Sequence, residues 1–347
     1  MKRKSAKRLV TIASTFAICV SLIYAIFSHS SENTCDKSRL AKILDRNGFR
    51  ALDTTLSTLC DRELSGPPEV KTFTITMLGH DLRRAQSNYE RIVDAYVDKK
   101  NSLLLDAFLF TWNNQNVEPP SFIRNKKMYG RPWFTVFWAK ANSLNNRWRM
   151  AFFIRTESTL VVDDDVLVGQ SLMRCMFETW ISFPKQIVGV DSDRRVVRHT
   201  DGDYQNPANV NETQMLEYTS NVVLTKTMIL ATRYLVDFMA DTSVLRMIDE
   251  QRTCEDIAMN AMVNHANANT GPFYVSSACR NCERQVLNDA GGLSTTAFDE
   301  TKNWTSWMQK RSRCVVWSKK HFGSGAFPPS RSNARQLNSK DPNLIKC

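Results

Sequence analysis

Short β-branched or aromatic runs that stop abruptly on polar clusters constrain the fold of this chain most. "TFTITML" (72–78), "LLLDAFLFTW" (103–112), "TLVV" (159–162) and "QIVGV" (186–190) each have the composition and length of a buried strand. Between them, "NYERIVDAYV" (88–97) spaces Tyr89, Ile92, Val93 and Tyr96 along one helical face. "SLMRCMFETWISF" (171–183) reads as a helix opened by a capping serine. Strands alternating with helices predict an α/β layer fold with a mostly parallel central sheet. Ligands of such sheets gather beyond the carboxyl ends of the strands. The polar clusters at 79–81, 113–116 and 163–165 fall there, so one shared site built from distant loops is expected.

The most polar of these ends is "DDD" (163–165), pinned between "TLVV" and "VLV". Three adjacent carboxylates repel one another beside an apolar strand, and a divalent cation relieves that repulsion. Oxygen ligands suit Mg²⁺ or Mn²⁺, which keep several waters and bind substrate phosphates at the same time. In an extended segment alternate side chains share a face, which places Asp163 and Asp165 together and Asp164 opposite. A solvated acidic turn is the ordinary alternative, but two flanking apolar runs are a less natural setting for one.

The remaining features give an address. "LVTIASTFAICVSLIYAIFS" (9–28) has no charged residue and follows a basic cluster that carries five of the chain's +11 net charges. Twenty helical residues span roughly 30 Å, about a bilayer core, and the basic flank favours a cytoplasmic N-terminus. The expectation is a single-pass type II anchor: tail 1–8, transmembrane helix 9–28, stem 29–69, lumenal domain 70–329 and disordered tail 330–347. A cleaved signal peptide is the competing reading. Nine cysteines, with Cys19 inside the apolar stretch, suit an oxidising compartment. The sequons at Asn211 and Asn303 agree with that compartment. "CRNC" (279–282) lacks the second half of a zinc site, so disulfide pairing or free thiols are expected there. The other basic residues are scattered, with no nucleic-acid-binding module, so no nucleic-acid partner is expected.

"FTITM", "TWNNQ", "NSLNNRW", "LVVDDDVLV", "FPKQIVG" and "CEDIAMN" occur in one order between residues 73 and 260. In that order the chain resembles the exostosin-like catalytic domain of glycosyltransferase family 64, over roughly residues 71–328. The resemblance implies a GT-A-type nucleotide-sugar-binding fold. It also implies retaining transfer of N-acetylhexosamine from a UDP-sugar, with Mn²⁺ as the ion and Mg²⁺ as the alternative. The donor would be UDP-GlcNAc or UDP-GalNAc and the acceptor a glycosaminoglycan-like glycan or a glycolipid. The expected location is the Golgi or endoplasmic reticulum membrane.

Residue by residue, the resemblance assigns Asn113, Asn142 and Arg147 to the nucleotide, Asp163 and Asp164 to uridine and sugar, and Asp165 to the metal. Arg83 takes the place of an arginine that follows the first strand. Asp256 resembles the carboxylate beside the donor sugar, with Glu255 where the family often has a second aspartate. Arg311 resembles a late arginine near the donor, and Cys254 with Cys314 a linking disulfide. Simpler roles compete. Thr253 and Asp256 have the spacing of a capping box, Asn113 and Asn114 are ordinary turn residues, and Arg147 fits a surface cation. A second class of function is a membrane-anchored, catalytically weak glycan-binding or transferase-partner protein, because one fold hosts many functions.

Overall fold

The computed structural model describes residues 35–69, 71–81, 88–98, 101, 103–126, 130–198, 200–211, 218–267, 270–276, 283–287, 304–328 and 344–345. The expected anchor, Arg83, Asn303 and "CRNC" lie outside them. Among the described residues no helix is long and apolar enough to cross a membrane.

In chain order the strands are β1 (Phe49–Arg50), β2 (Phe73–Gly79), β3 (Leu105–Trp112), β4 (Trp133–Ala139), β5 (Ser158–Asp163), β6 (Val166–Val168) and β7 (Val188–Val190). They continue with β8 (Arg194–Arg198), β9 (Tyr204–Gln205), β10 (Tyr218–Val223), β11 (Thr227–Ala231), β12 (Phe273–Val275), β13 (Arg284–Val286) and β14 (Leu344–Ile345). Nine form one sheet in the order β1-β4-β3-β2-β5-β11-β7-β12-β14. Its heart, β4-β3-β2-β5, is parallel, as the strand–helix alternation predicts. β11 runs antiparallel between β5 and β7. β8, β9 and β10 make a small antiparallel sheet, and β6 pairs with β13.

Every residue of β2 and β3 is buried, which explains their unbroken apolar runs: helices cover both faces of the sheet. Alternate residues of β3 serve different cores. Phe108 and Phe110 join the larger cluster, with Tyr89, Ile92 and Tyr96 of the segment around helix Glu90–Val97. Ala107 and Leu109 join a second cluster with Leu40, Leu44, Phe49, Leu56 and Leu59.

That second cluster corrects the expectation of a stem over 29–69. Helices Lys37–Arg46 and Asp53–Leu64 pack on the sheet, β1 pairs with β4, and a disulfide joins Cys35 to Cys60. The polar surface of these helices masked the narrow apolar stripe that docks them. Leu344–Ile345, inside the segment read as a disordered tail, pairs in parallel with β12; backbone pairing of two residues needs no apolar pattern.

The helix expected over 171–183 runs Gln170–Ser182, and Ser171 does not cap it. Gly169 stands at the cap, because a Cβ there would lie 2.9 Å from the Glu283 carbonyl oxygen that accepts the Gly169 N–H. Part of the expected loop over 200–220 instead forms β9 and the start of β10.

Candidate active site

At the carboxyl edge of the parallel strands, the acidic triplet is a turn rather than an extended segment. β5 ends at Asp163, Asp164 and Asp165 form the bend, and β6 begins at Val166. Simple alternation therefore fails, and the three carboxylates find three different neighbours. Asp163 Oδ1 accepts from Arg147 Nη1 at 2.9 Å. Asp164 Oδ2 accepts from the Tyr89 hydroxyl at 2.6 Å. Asp165 Oδ2 lies 3.7 Å from Lys226 Nζ. Tyr89 reaches the triplet because β2 ends in glycine: a Cβ on Gly79 would meet the Phe110 ring at 2.6 Å and Tyr89 at 3.1 Å.

The asparagines form a shelf beside the triplet. Asn113 is fully buried directly after β3, and its backbone N–H is fixed on the Gly79 carbonyl at 2.7 Å. Its Nδ2 donates to Asn142 Oδ1 at 2.8 Å, and its Oδ1 accepts from Asn146 Nδ2 at 2.6 Å. Asn142 itself is exposed, so the shelf has a buried base and an open rim. Arg147 follows in the short helix Asn146–Arg149 and is buried, which removes the surface-cation reading.

From the opposite side comes helix Glu255–Ala266, and its entry is strained. Arg252 and Cys254 adopt left-handed φ values of 52° and 85°, a region costly for side chains with a Cβ and typical of functional sites. The Cys254–Cys314 disulfide ties this turn to helix Trp304–Phe322, as the resemblance implies. No capping box forms. Thr253 Oγ1 instead accepts from Arg311 Nη1 at 3.0 Å, while Asp256 Oδ1 accepts from the Ile257 N–H at 2.8 Å. Arg311 Nη2 donates to Asp256 Oδ2 and, at 3.0 Å, to the Tyr204 hydroxyl. The guanidinium carbon also stands 4.7 Å from the Tyr204 ring centroid.

Arg147 joins the two halves, because its Nη2 is 3.9 Å from Glu255 Oε1. One chain of charge, buried except at Asp163, thus runs Asp163, Arg147, Glu255, Asp256, Arg311. Carboxylates outnumber guanidiniums in it, and the titration behaviour follows. Burial opposes the charge on Arg147, but Asp163, Glu255 and Asp256 outweigh it and raise its pKa. Burial likewise opposes the charge on Arg311, and Asp256, Tyr204 and Glu255 reverse the balance upward. The Glu255 carboxyl is pushed up to about 7, first by burial and then by Asp256, against the pull of Arg147 and Arg311. Glu255 Oε2 is buried and has no hydrogen-bond partner among the described residues. Such an atom costs free energy unless a ligand or a proton satisfies it.

For a divalent ion, the residues present fit one particular kind of site. No group of three or more His, Cys, Asp or Glu side chains forms a cage among the described residues. Asp165 offers one carboxylate, with the Lys226 ammonium 3.7 Å from its Oδ2. One carboxylate plus substrate phosphates is a usual donor set for Mg²⁺ or Mn²⁺.

The structure therefore brings together Asn113, Asn142, Arg147, Asp163, Asp164, Asp165, Asp256 and Arg311. Sequence reasoning missed Tyr89, Asn146, Tyr204, Thr253 and Lys226. For Asn146 there was a signal: "NSLNNRW" offers three asparagines, and 142 and 146 are one helical turn apart. Tyr204 and Lys226 carry none, since β9 and the turn before β11 are placed only by strand pairing.

Comparison with known proteins places the chain. Residues 73–337 match the glycosyl transferase family 64 domain. Exostosin-2 of Bos taurus is 30% identical over 260 residues, 74% of this chain and 33% of its own length. Exostosin-like 2 of Mus musculus is 25% identical over 245 residues, covering 66% of this chain and 69% of its own. Glycosyltransferase family protein 64 C3 of Arabidopsis thaliana is 26% identical over 267 residues, 72% of this chain and 75% of its own. The matched region spans about a third of exostosin-2.

Proposed function

The chain belongs to glycosyltransferase family 64, and from that premise we propose that it transfers N-acetylhexosamine from a UDP-sugar to a glycan acceptor, with retention at the anomeric carbon and with a divalent metal ion. The single observation that carries this reading is the largely buried charge chain at the carboxyl edge of the sheet. Five ionisable side chains from four separate segments converge there, and one carboxylate oxygen is left without a partner.

Asp165 is the residue to hold Mn²⁺ or Mg²⁺, and the ion when bound would neutralise charge on the departing diphosphate. The protein's own groups supply the rest. The Asn113–Asn142–Asn146 shelf is rigid and edge-polar, suited to a nucleotide base and ribose. Arg147 holds Asp163 in one orientation toward the same ligand. Arg311, fixed by Thr253, Tyr204 and Asp256, is a preorganised cation that needs no reorientation as negative charge develops on the leaving phosphate. Asp256 faces the sugar side. Both of its oxygens are engaged, by Ile257 N–H and by Arg311, which supports an electrostatic role toward the developing oxocarbenium rather than covalent attack.

A secretory location, Golgi or endoplasmic reticulum, with the apolar stretch at 9–28 as the membrane anchor, belongs to the same reading. The Cys35–Cys60 and Cys254–Cys314 disulfides support it. The test is UDP release by the purified full chain from UDP-GlcNAc or UDP-GalNAc, with Mn²⁺ or with EDTA, beside Asp165→Ala. Release that needs the ion and disappears in the variant is expected. Equal release with EDTA, or none with either sugar and an acceptor panel, overturns the reading.

A further inference from the structure

We propose that Lys226 is a resident counter-cation at Asp165, which a divalent ion must displace, so that Lys226 lowers the metal affinity of the site. The inference rests on the metal reading above and concerns a residue that neither the motif order nor the acidic triplet points to.

The fold places Lys226 there with little freedom. In the β11–β5 ladder Thr227 pairs with Val162, so Lys226 lies beside the end of β5, where its carbonyl accepts the Asp163 N–H at 3.3 Å. From that position the ammonium stands 3.7 Å from Asp165 Oδ2. Among the described residues, Asp193 is a further carboxylate near Lys226. Arg284 holds that group already, with Nη2 2.6 Å from Asp193 Oδ1. Lys226 is therefore not committed to Asp193.

The two side chains differ in exposure. Asp165 is 9% exposed and fixed at the turn, while Lys226 is 32% exposed on a flexible stem. Like charges a few ångströms apart repel, and a divalent ion at Asp165 would meet an ammonium already there. The carboxylate cannot move away, but the lysine can swing to water. Metal entry thus costs the Lys226–Asp165 attraction together with the residual repulsion. A nucleotide diphosphate adds negative charge and offsets that cost, so the ion would bind weakly alone and better with nucleotide.

The test is Mn²⁺ binding to the full chain without nucleotide, read from the electron paramagnetic resonance signal of the free ion. Lys226→Met, which keeps the stem and removes the charge, is expected to bind Mn²⁺ about three- to tenfold more tightly than wild type. Lys226→Arg, which keeps the charge, is expected to match wild type within about twofold, and Asp165→Asn to lose the site. Wild-type binding that is lost in Asp165→Asn but unchanged or weakened in Lys226→Met overturns this inference and leaves the metal reading standing. Mn²⁺ bound by neither wild type nor Lys226→Met overturns both.

Discussion

The two edges of the parallel sheet both bury arginine–carboxylate clusters, yet they are built with opposite charge. At the amino edge Asp106, the second residue of β3, is fully buried and ringed by three guanidiniums. Arg62 Nη2 is 3.3 Å from it, and Arg155 and Arg131 are each 3.4 Å away. Most of the surplus is absorbed locally: Arg62 donates to the Phe153 carbonyl at 3.3 Å, Arg155 to Gly66 at 2.7 Å and Arg131 to Pro67 at 2.9 Å, and Arg131 Nη1 also reaches Glu69 Oε1 at 2.7 Å, while Arg62 Nε and Arg155 Nε have no partner among the described residues. Burial, aided by the Arg155 charge and resisted by Asp106, pushes Arg62 down to about 10. This is a closed clamp that fastens helix Asp53–Leu64 and the strand entrances together. The carboxyl edge instead carries an excess of carboxylate, its arginines are driven up rather than down, and Glu255 Oε2 stays unpartnered. A cluster with surplus guanidiniums, most of whose donors end on backbone carbonyls, is architecture. One left short of positive charge, with an orphaned oxygen, is prepared for a ligand.

Substitutions can break that contrast. The largest effect is expected from Asp106→Asn, which leaves Arg62 and Arg155 without their counter-ion, Arg131 keeping Glu69, and should cost about 3–5 kcal/mol in urea unfolding. A cost under about 1 kcal/mol would mean the amino edge is no clamp. Next comes Glu255→Gln, with the opposite sign. The unfolded carboxyl loses its proton from the usual 4.5, the folded one only near 7. Folding therefore loses stability as pH rises between these values, and the full penalty persists above them. Glutamine removes it, so the variant should exceed wild type by up to roughly 3 kcal/mol at about pH 8 and hardly at all near pH 4. A stabilisation that does not grow with pH would contradict the account. Tyr204→Phe, which removes one of the acceptors of Arg311 but leaves Asp256 and Thr253, should cost only about 0.5–1.5 kcal/mol in thermal unfolding.

Which parts of this were legible in the sequence follows from the range of the forces involved. β2, β3 and β5 were readable because a strand buried on both faces must be apolar throughout, and Phe73–Gly79 and Leu105–Trp112 are nearly so. The polar breaks after them located Asn113 and Asp163–Asp165, and the family resemblance supplied Asp256 and Arg311. What escaped depended on contacts between distant segments. Thr253 has capping-box spacing in the sequence, but its contact with Arg311 depends on helix Trp304–Phe322, which the Cys254–Cys314 bridge ties to this turn. Helices Lys37–Arg46 and Asp53–Leu64 look like a stem until Cys35–Cys60 and the facing residues of β3 and β4 give their apolar stripe a surface. Lys226 became visible only once the β11–β5 register was known.

The most direct test of the central claim, that the carboxyl edge is the open metal and nucleotide site and the amino edge a closed clamp, is the thermal midpoint with and without UDP plus Mn²⁺. A ligand bound only by the folded state raises that midpoint. Wild type should gain, and Arg155→Met, with a lower starting midpoint, should gain as much, while Asp165→Asn and Arg147→Met should gain little or nothing. A shift that survives Asp165→Asn and Arg147→Met, or that vanishes in Arg155→Met, would contradict the account.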